Sequence, residues 1–91
     1  MTASVSAAVV QQAEKLCQTA ITELNSSAQK LNNRYREAGQ RWRDDKYKQL
    51  GVIIDDCTKS MKKPVNELSD CVAKLREIGK VLVDIESANI K

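Results

Sequence analysis

From Tyr47 to Ile85 an apolar residue returns at every third or fourth position. The series is Tyr47, Leu50, Ile54, Cys57, Met61, Pro64, Leu68, Cys71, Leu75, Ile78, Leu82, Ile85. Its steps alternate between three and four, the a/d ridge of a heptad, with Pro64 the one position out of character. Charged and amide residues fill most of the other faces. A ridge of this length has to be covered along its whole extent. The chain is therefore constrained to a long amphipathic helix lying against other helices.

The first half carries the same period. Val9, Ala13, Leu16, Cys17, Ala20, Ile21, Leu24, Ala28, Leu31 and Tyr35 form a stripe separated by Gln, Glu, Lys, Asn and Ser. Many of its members are small, which lets a neighbouring helix come close. Thr2 or Ser4 can cap this helix. Gly39 suits the left-handed residue just past a helix C-terminus, with Arg34 and Arg36 near the negative end of the dipole. Asp44 or Asp45 can cap the helix that Tyr47 opens. The spacing predicts helix one over 3–38, a turn over 39–45 and helix two over 46–88.

A link this short joins antiparallel neighbours, so the expected fold is all-α, an antiparallel two-helix hairpin. Proline inside a helix removes one backbone hydrogen bond and costs about 3 kcal/mol, so Pro64 predicts a kink in helix two. Gly79 marks either an exposed position or a close contact. A hairpin covers one side of each helix, and Ile53, Val65, Val72 and Val81 widen the second stripe beyond a two-residue ridge. That surplus predicts pairing with another hairpin into a four-helix bundle, as a homodimer or a heterodimer.

Composition bounds the function. The chain has 91 residues, enough for one domain, and only three aromatic rings, Tyr35, Trp42 and Tyr47. So few rings do not build the core of an α/β enzyme. There is no His to serve as general base or metal ligand. Asp55 and Asp56 are adjacent and point apart on a helix. No Gly-rich phosphate loop and no Cys/His metal spacing is present. The expectation is a protein with no catalytic, cofactor-binding or metal site and no small-molecule substrate.

Cys17, Cys57 and Cys71 fall on the apolar stripes at wide spacing, as reduced core thiols of a protein folded in the cytoplasm do. Hairpin geometry sets Cys17 near Cys71, where a disulfide is conceivable and two packed thiols are the commoner outcome. The N-terminus has no basic and apolar signal-peptide regions, and no apolar run is long enough to span a membrane.

The bend reads Gly39-Gln40-Arg41-Trp42-Arg43-Asp44-Asp45. Trp42 either folds over the hairpin end and locks the helices or stands as an anchor for a partner. Arg34, Arg36, Arg41, Arg43, Lys46 and Lys48 crowd the same tip, and basic residues beside rings can hold a nucleic-acid strand. Glu37, Asp44 and Asp45 offset part of that charge, which favours a solvated helix end over nucleic-acid binding.

In length, in the central Trp at a turn and in two long amphipathic helices, the chain resembles the Trp-X-Gly (WXG) family of small helical-hairpin proteins of type VII (ESX-type) secretion systems. The local form here is Trp42-Arg43-Asp44, with Asp in the third place, as in divergent members of the wider superfamily. The family's C-terminal Tyr-x-x-x-Asp/Glu export signal has no Tyr here; Leu82 with Glu86, or Asp84 with Glu86, stands in its place. The resemblance implies a non-enzymatic protein. It would be secreted without a cleaved signal peptide or act as helical partner of a larger effector.

Trp42, Asp44, Gly39 and Tyr47 would form the turn motif. Leu24, Leu31, Leu50, Ile54, Met61, Leu68, Leu75, Ile78, Leu82 and Ile85 would form the packing seam. The alternatives are a coiled-coil subunit of another intracellular or phage assembly, and a nucleic-acid-binding hairpin using the basic tip.

Overall fold

A computed structural model describes residues 6–89, and these form two helices, α1 (Ala7–Gly39) and α2 (Asp45–Asn89). They run antiparallel as a hairpin. The rod measures 70 × 20 × 17 Å with a radius of gyration of 20.6 Å, against roughly 12 Å for a compact chain of this length. Among the described residues no helix is long and apolar enough to cross a membrane.

Ser6 caps α1, its hydroxyl accepting from the Val9 N–H at 3.3 Å. The helix thus begins a turn later than the spacing predicts, and Thr2 and Ser4 lie outside the described residues. The first turn of α1 carries no acidic residue of its own. Glu86, near the end of α2, supplies one: its carboxylate accepts from the Ala7 N–H at 3.0 Å. A negative group is thereby placed at the positive end of the α1 dipole.

At the other end Asp44 caps α2, its Oδ1 accepting from Tyr47 N–H at 3.0 Å. The five residues between the helices close on α1 through the Arg41 and Trp42 N–H groups, both donating to the Ala38 carbonyl. Arg43 Nε donates to the Gly39 carbonyl at 3.1 Å. Pro64 sits inside a continuous α2, so the packed pattern on both sides outweighs the single lost hydrogen bond.

The single a/d ridge expected for α2 is divided by the structure. The residues turned toward α1 are Tyr47, Ile54, Met61, Leu68, Leu75 and Leu82, as the heptad predicts. The second column is Gly51, Thr58, Val65, Val72 and Gly79, one residue beyond the predicted one. Leu50, Cys57, Cys71, Ile78 and Ile85 lie exposed on the flank, Ile78 at 51 %. The inward column is mostly small, so α1 approaches α2 closely. A Cβ on Gly79 would stand 3.6 Å from Val10 Cγ1, which makes Gly79 a close-contact glycine.

On α1 the inward residues are Ala7, Val10, Cys17, Ile21, Leu24, Ala28, Leu31 and Tyr35, while Val9 and Leu16 point out, Leu16 at 71 % exposure. The seam thus keeps Leu24, Leu31, Ile54, Met61, Leu68, Leu75 and Leu82 and loses Leu50, Ile78 and Ile85.

Gly39 is also corrected. It is the last residue of α1, and no residue among those described has positive φ. Its lack of a side chain serves packing instead. A Cβ on Gly39 would fall at 2.2 Å from the Tyr47 hydroxyl, and one on Gly51 at 2.3 Å from the Tyr35 hydroxyl. The two rings stack between them, centroids 4.3 Å apart and 4° from parallel, and Tyr47 Oη donates to the Tyr35 carbonyl at 2.9 Å. Each tyrosine covers the glycine four residues beyond the other. This crossed pair closes the bend end of the rod.

A mid-helix Gly→Ala change ordinarily stabilises by about 0.5–1 kcal/mol. Here Gly51→Ala must push the Tyr35 ring aside, and we expect a net loss of about 1–2 kcal/mol. In a Tyr35→Leu background the same change should stabilise. Thermal melts followed by circular dichroism on the four members of this cycle read the coupling, and equal effects in both backgrounds would contradict the packing described.

Candidate interaction surface

The hairpin has almost no closed core. Ala7, Val10 and Val72 are the buried apolar residues among those described, and no side chain there is fully buried. Two cylinders touch along one line, so each helix keeps most of its circumference in water. What matters is which residues occupy the remaining faces.

On α2 the column Leu50, Cys57, Pro64, Cys71, Ile78 and Ile85, exposed except for the half-buried Pro64, flanks the α1 contact on one side, with Ile53 and Val81 just outside it. Lys48, Asp55, Lys62, Ser69, Arg76 and, at the open end, Val83 flank it on the other, with Val52 just outside, so this side is mostly polar. On α1 one flank is Ala13 and Ala20, with Val9 and Leu16 just outside. The opposite flank is Gln11, Gln18, Asn25 and Asn32. The antiparallel course brings the apolar flanks to one side of the rod and the polar flanks to the other.

On the mostly polar side Gln11 and Glu14 share a groove with Leu75, Arg76, Lys80, Val83 and Asp84, where Arg76 Nε meets Glu14 Oε2 at 3.4 Å. Leu24 shares an apolar groove with Ile53, Cys57 and Pro64 on the other. The apolar face runs the full length of α2. On α1 it covers the open half only, giving way toward the bend to Glu23, Ser27, Lys30 and Arg34.

Trp42 lies outside this face, on the bend, 63 % exposed. Of its two readings, the lock over the hairpin end is overturned, because Tyr35 and Tyr47 occupy that place. The turn motif is therefore split by the fold. Gly39 and Tyr47 are internal packing, Asp44 is a helix cap, and Trp42 with Arg41 and Arg43 is displayed to solvent. The basic residues at the tip are exposed, and Arg34 pairs with Glu37 at 3.5 Å. In the tail Leu82 is half-buried, Asp84 is exposed, and the Glu86 carboxylate is held by Ala7.

The thiols also differ from expectation. Cys17 is half-buried, Cys57 and Cys71 are exposed, and all three are free. Cys71 points away from α1, so no pair with Cys17 forms. Among the described residues no cluster of His, Cys, Asp or Glu is arranged to hold a metal ion.

The sequence reading missed the crossed tyrosines and the Glu86 cap. The repeated spacing Tyr35-x-x-x-Gly39 and Tyr47-x-x-x-Gly51 is the signal that could have found the first. The Tyr35 phenol is held above its ordinary pKa, chiefly by desolvation and secondly by the neighbouring Tyr47 phenol, with Arg43 opposing. Comparison of the chain with known protein families, characterised proteins and solved structures returns no match.

A phenol whose folded-state pKa is raised contributes stability that is present below its unfolded value, near 10, and is lost as pH rises through the folded value. Tyr35→Phe should therefore flatten the fall in stability above about pH 10, measured against the parent by denaturant unfolding from pH 8 to 11. Asp44→Ala should cost about 1 kcal/mol by removing the α2 cap, read in the same assay at neutral pH.

Proposed function

We propose that this chain is a non-enzymatic, WXG-like helical-hairpin protein of a type VII secretion system. It would work by pairing its apolar face with another helical chain, as a secreted protein or as the helical partner of a larger effector. The uncovered apolar face carries the reading. Apolar side chains exposed along one side of a rod, opposite a polar side, are the mark of a mating surface rather than of a solvated helix. The length, the two-helix form and a tryptophan displayed at the bend support assignment to the WXG type.

Burial of that face supplies the association energy, at about 25 cal/mol for each Å² of apolar area removed from water. The polar flank stays in solvent. Trp42, with Arg41 and Arg43 beside it, stays free at the far end to engage secretion machinery or a target. Coupling of the tail to export would have to act through Asp84 and the end of α2, since Glu86 is engaged at the first turn of α1.

The test is export of the epitope-tagged chain in its own host, with and without the FtsK-type ATPase of a type VII locus. We expect the protein in the medium, or recovered with a large effector, only when the ATPase is intact. A chain that stays inside the cell and co-purifies with no effector would overturn the assignment. Ile78→Ser and Leu16→Ser, at exposed positions, should leave hairpin helicity unchanged within error by circular dichroism while weakening partner recovery at least about tenfold, as loss of a buried apolar contact of roughly 1.5 kcal/mol requires.

A further inference from the structure

We infer that the bend end of the rod binds single-stranded nucleic acid, with a base stacked on Trp42 and the surrounding cations on the phosphates. The inference is independent of what covers the apolar face, and it gives the free end of the rod a ligand.

Charge is unevenly placed along this chain. Residues 34–48 hold six basic and three acidic residues, a net charge of +3, and the other 76 residues hold nine of each. The whole net charge of the protein therefore sits at one end of a 70 Å rod.

The three carboxylates at that end are engaged within the fold. Glu37 pairs with Arg34 at 3.5 Å. Asp44 caps α2 through the Tyr47 N–H, and Asp45 lies in the first turn of α2, where it offsets the positive end of the dipole. These are the carboxylates that, by sequence, weigh against nucleic-acid binding. Among the described residues Arg36, Arg41, Arg43, Lys46 and Lys48 are exposed and enter no ion pair.

Two features of the cluster work against the isolated fold. Lys46 and Lys48 stand in the first turn of α2, where the dipole disfavours cations. Trp42, the single tryptophan of the chain, is 63 % exposed, while the tyrosines close the bend without it. Local rules broken without compensation inside the fold mark functional positions. A polyanion carrying flat rings relieves both, since its phosphates neutralise the cations and a base covers the indole. The cations also lie on both sides of the ring, Arg36 and Arg41 before it and Arg43, Lys46 and Lys48 after it, as a strand laid over the bend requires.

Shape and ring count select the kind of polyanion. A rod 20 × 17 Å across does not enter a major groove about 12 Å wide, which excludes readout of a duplex. A bilayer finds little apolar surface, because Trp42 is the one apolar residue of the bend and Tyr35 and Tyr47 are stacked on each other against Gly39 and Gly51. An acidic peptide matches the cations and leaves the indole bare. A single strand needs one ring face, and every base has one to offer.

The experiment titrates the purified full chain with oligothymidylate and with oligouridylate of about 12 nucleotides. Trp42 fluorescence is the readout and reports the bend alone. At about 50 mM salt one or both strands should quench Trp42 and bind with a micromolar Kd. Log K should fall against log salt with a slope of about −3, about 0.7 for each of some four phosphates. Trp42→Leu should weaken binding about tenfold, read by the anisotropy of a labelled strand, and leave the slope unchanged. Arg41→Gln and Lys46→Gln should each make the slope shallower by about 0.7. Lys62→Gln combined with Lys63→Gln, in the charge-balanced part of α2, should change neither affinity nor slope. All these positions are exposed, and circular dichroism should show parental helicity in every variant.

Binding of neither strand would overturn the proposal. So would inorganic polyphosphate of equal charge, a poly-glutamate peptide or phosphatidylserine vesicles binding at least as tightly as the strand. A loss from the Lys62 and Lys63 changes equal to that from Arg41 and Lys46 would do the same. None of these outcomes touches export or effector recovery, which test the proposed function separately.

Discussion

The crossed tyrosines at the bend set the register on which everything else in this molecule depends. Two smooth amphipathic helices could slide or rotate against each other at little cost. Tyr35 on Gly51 and Tyr47 on Gly39 forbid that, because each ring needs a position without a side chain at its own level of the opposite helix. Once the first turns are fixed in this way, heptad geometry decides which residue at every later level looks inward. The inward columns then end, some 50 Å away at about 1.5 Å per residue, with Glu86 meeting the first N–H of α1.

The same register explains the division of the apolar residues. With a and e columns turned inward on α2, the small residues Gly51, Thr58 and Gly79 allow close approach, and the large ones at Leu50, Ile78 and Ile85 are displaced to the side. The hairpin is therefore held by a narrow contact of modest size, and most of its hydrophobic content faces outward on one flank. Surface ion pairs such as Lys59 with Asp55 add little, about 0–1 kcal/mol each in water. On α2 the apolar residues thus fall into two stripes, one turned to α1 and one left uncovered on the flank.

Much of this was legible from the chain. Two helices, their antiparallel order, the bend, a cap at Asp44 or Asp45 and the all-α class follow from three-four spacing and the turn residues. The seam residues Ile54, Met61, Leu68, Leu75 and Leu82 follow too, since any inward face of α2 includes their column. What periodicity could not decide was the companion column, because a heptad with apolar residues at both d and e fits either rotation. Packing at the bend broke that tie.

Gly39 was misread for a related reason. Local rules give a glycine at a helix end the left-handed role, and only the tertiary partner, Tyr47, shows that space rather than conformation was needed. Trp42, the residue that drew most attention, has no internal packing role to read.

The two ends of the rod differ in the stretch of chain that must be ordered to bring them together. Tyr35 and Tyr47 are 12 residues apart, whereas Ala7 and Glu86 are separated by 79. Loop-closure entropy makes the first contact the easier to form, and each turn zipped from the bend shortens the loop left for the next. The expected folding order is thus a zipper that starts at the tyrosines, and a higher φ-value at Glu86 than at Tyr47 would contradict it. The open end is accordingly the last part of the rod to close and the first to fray.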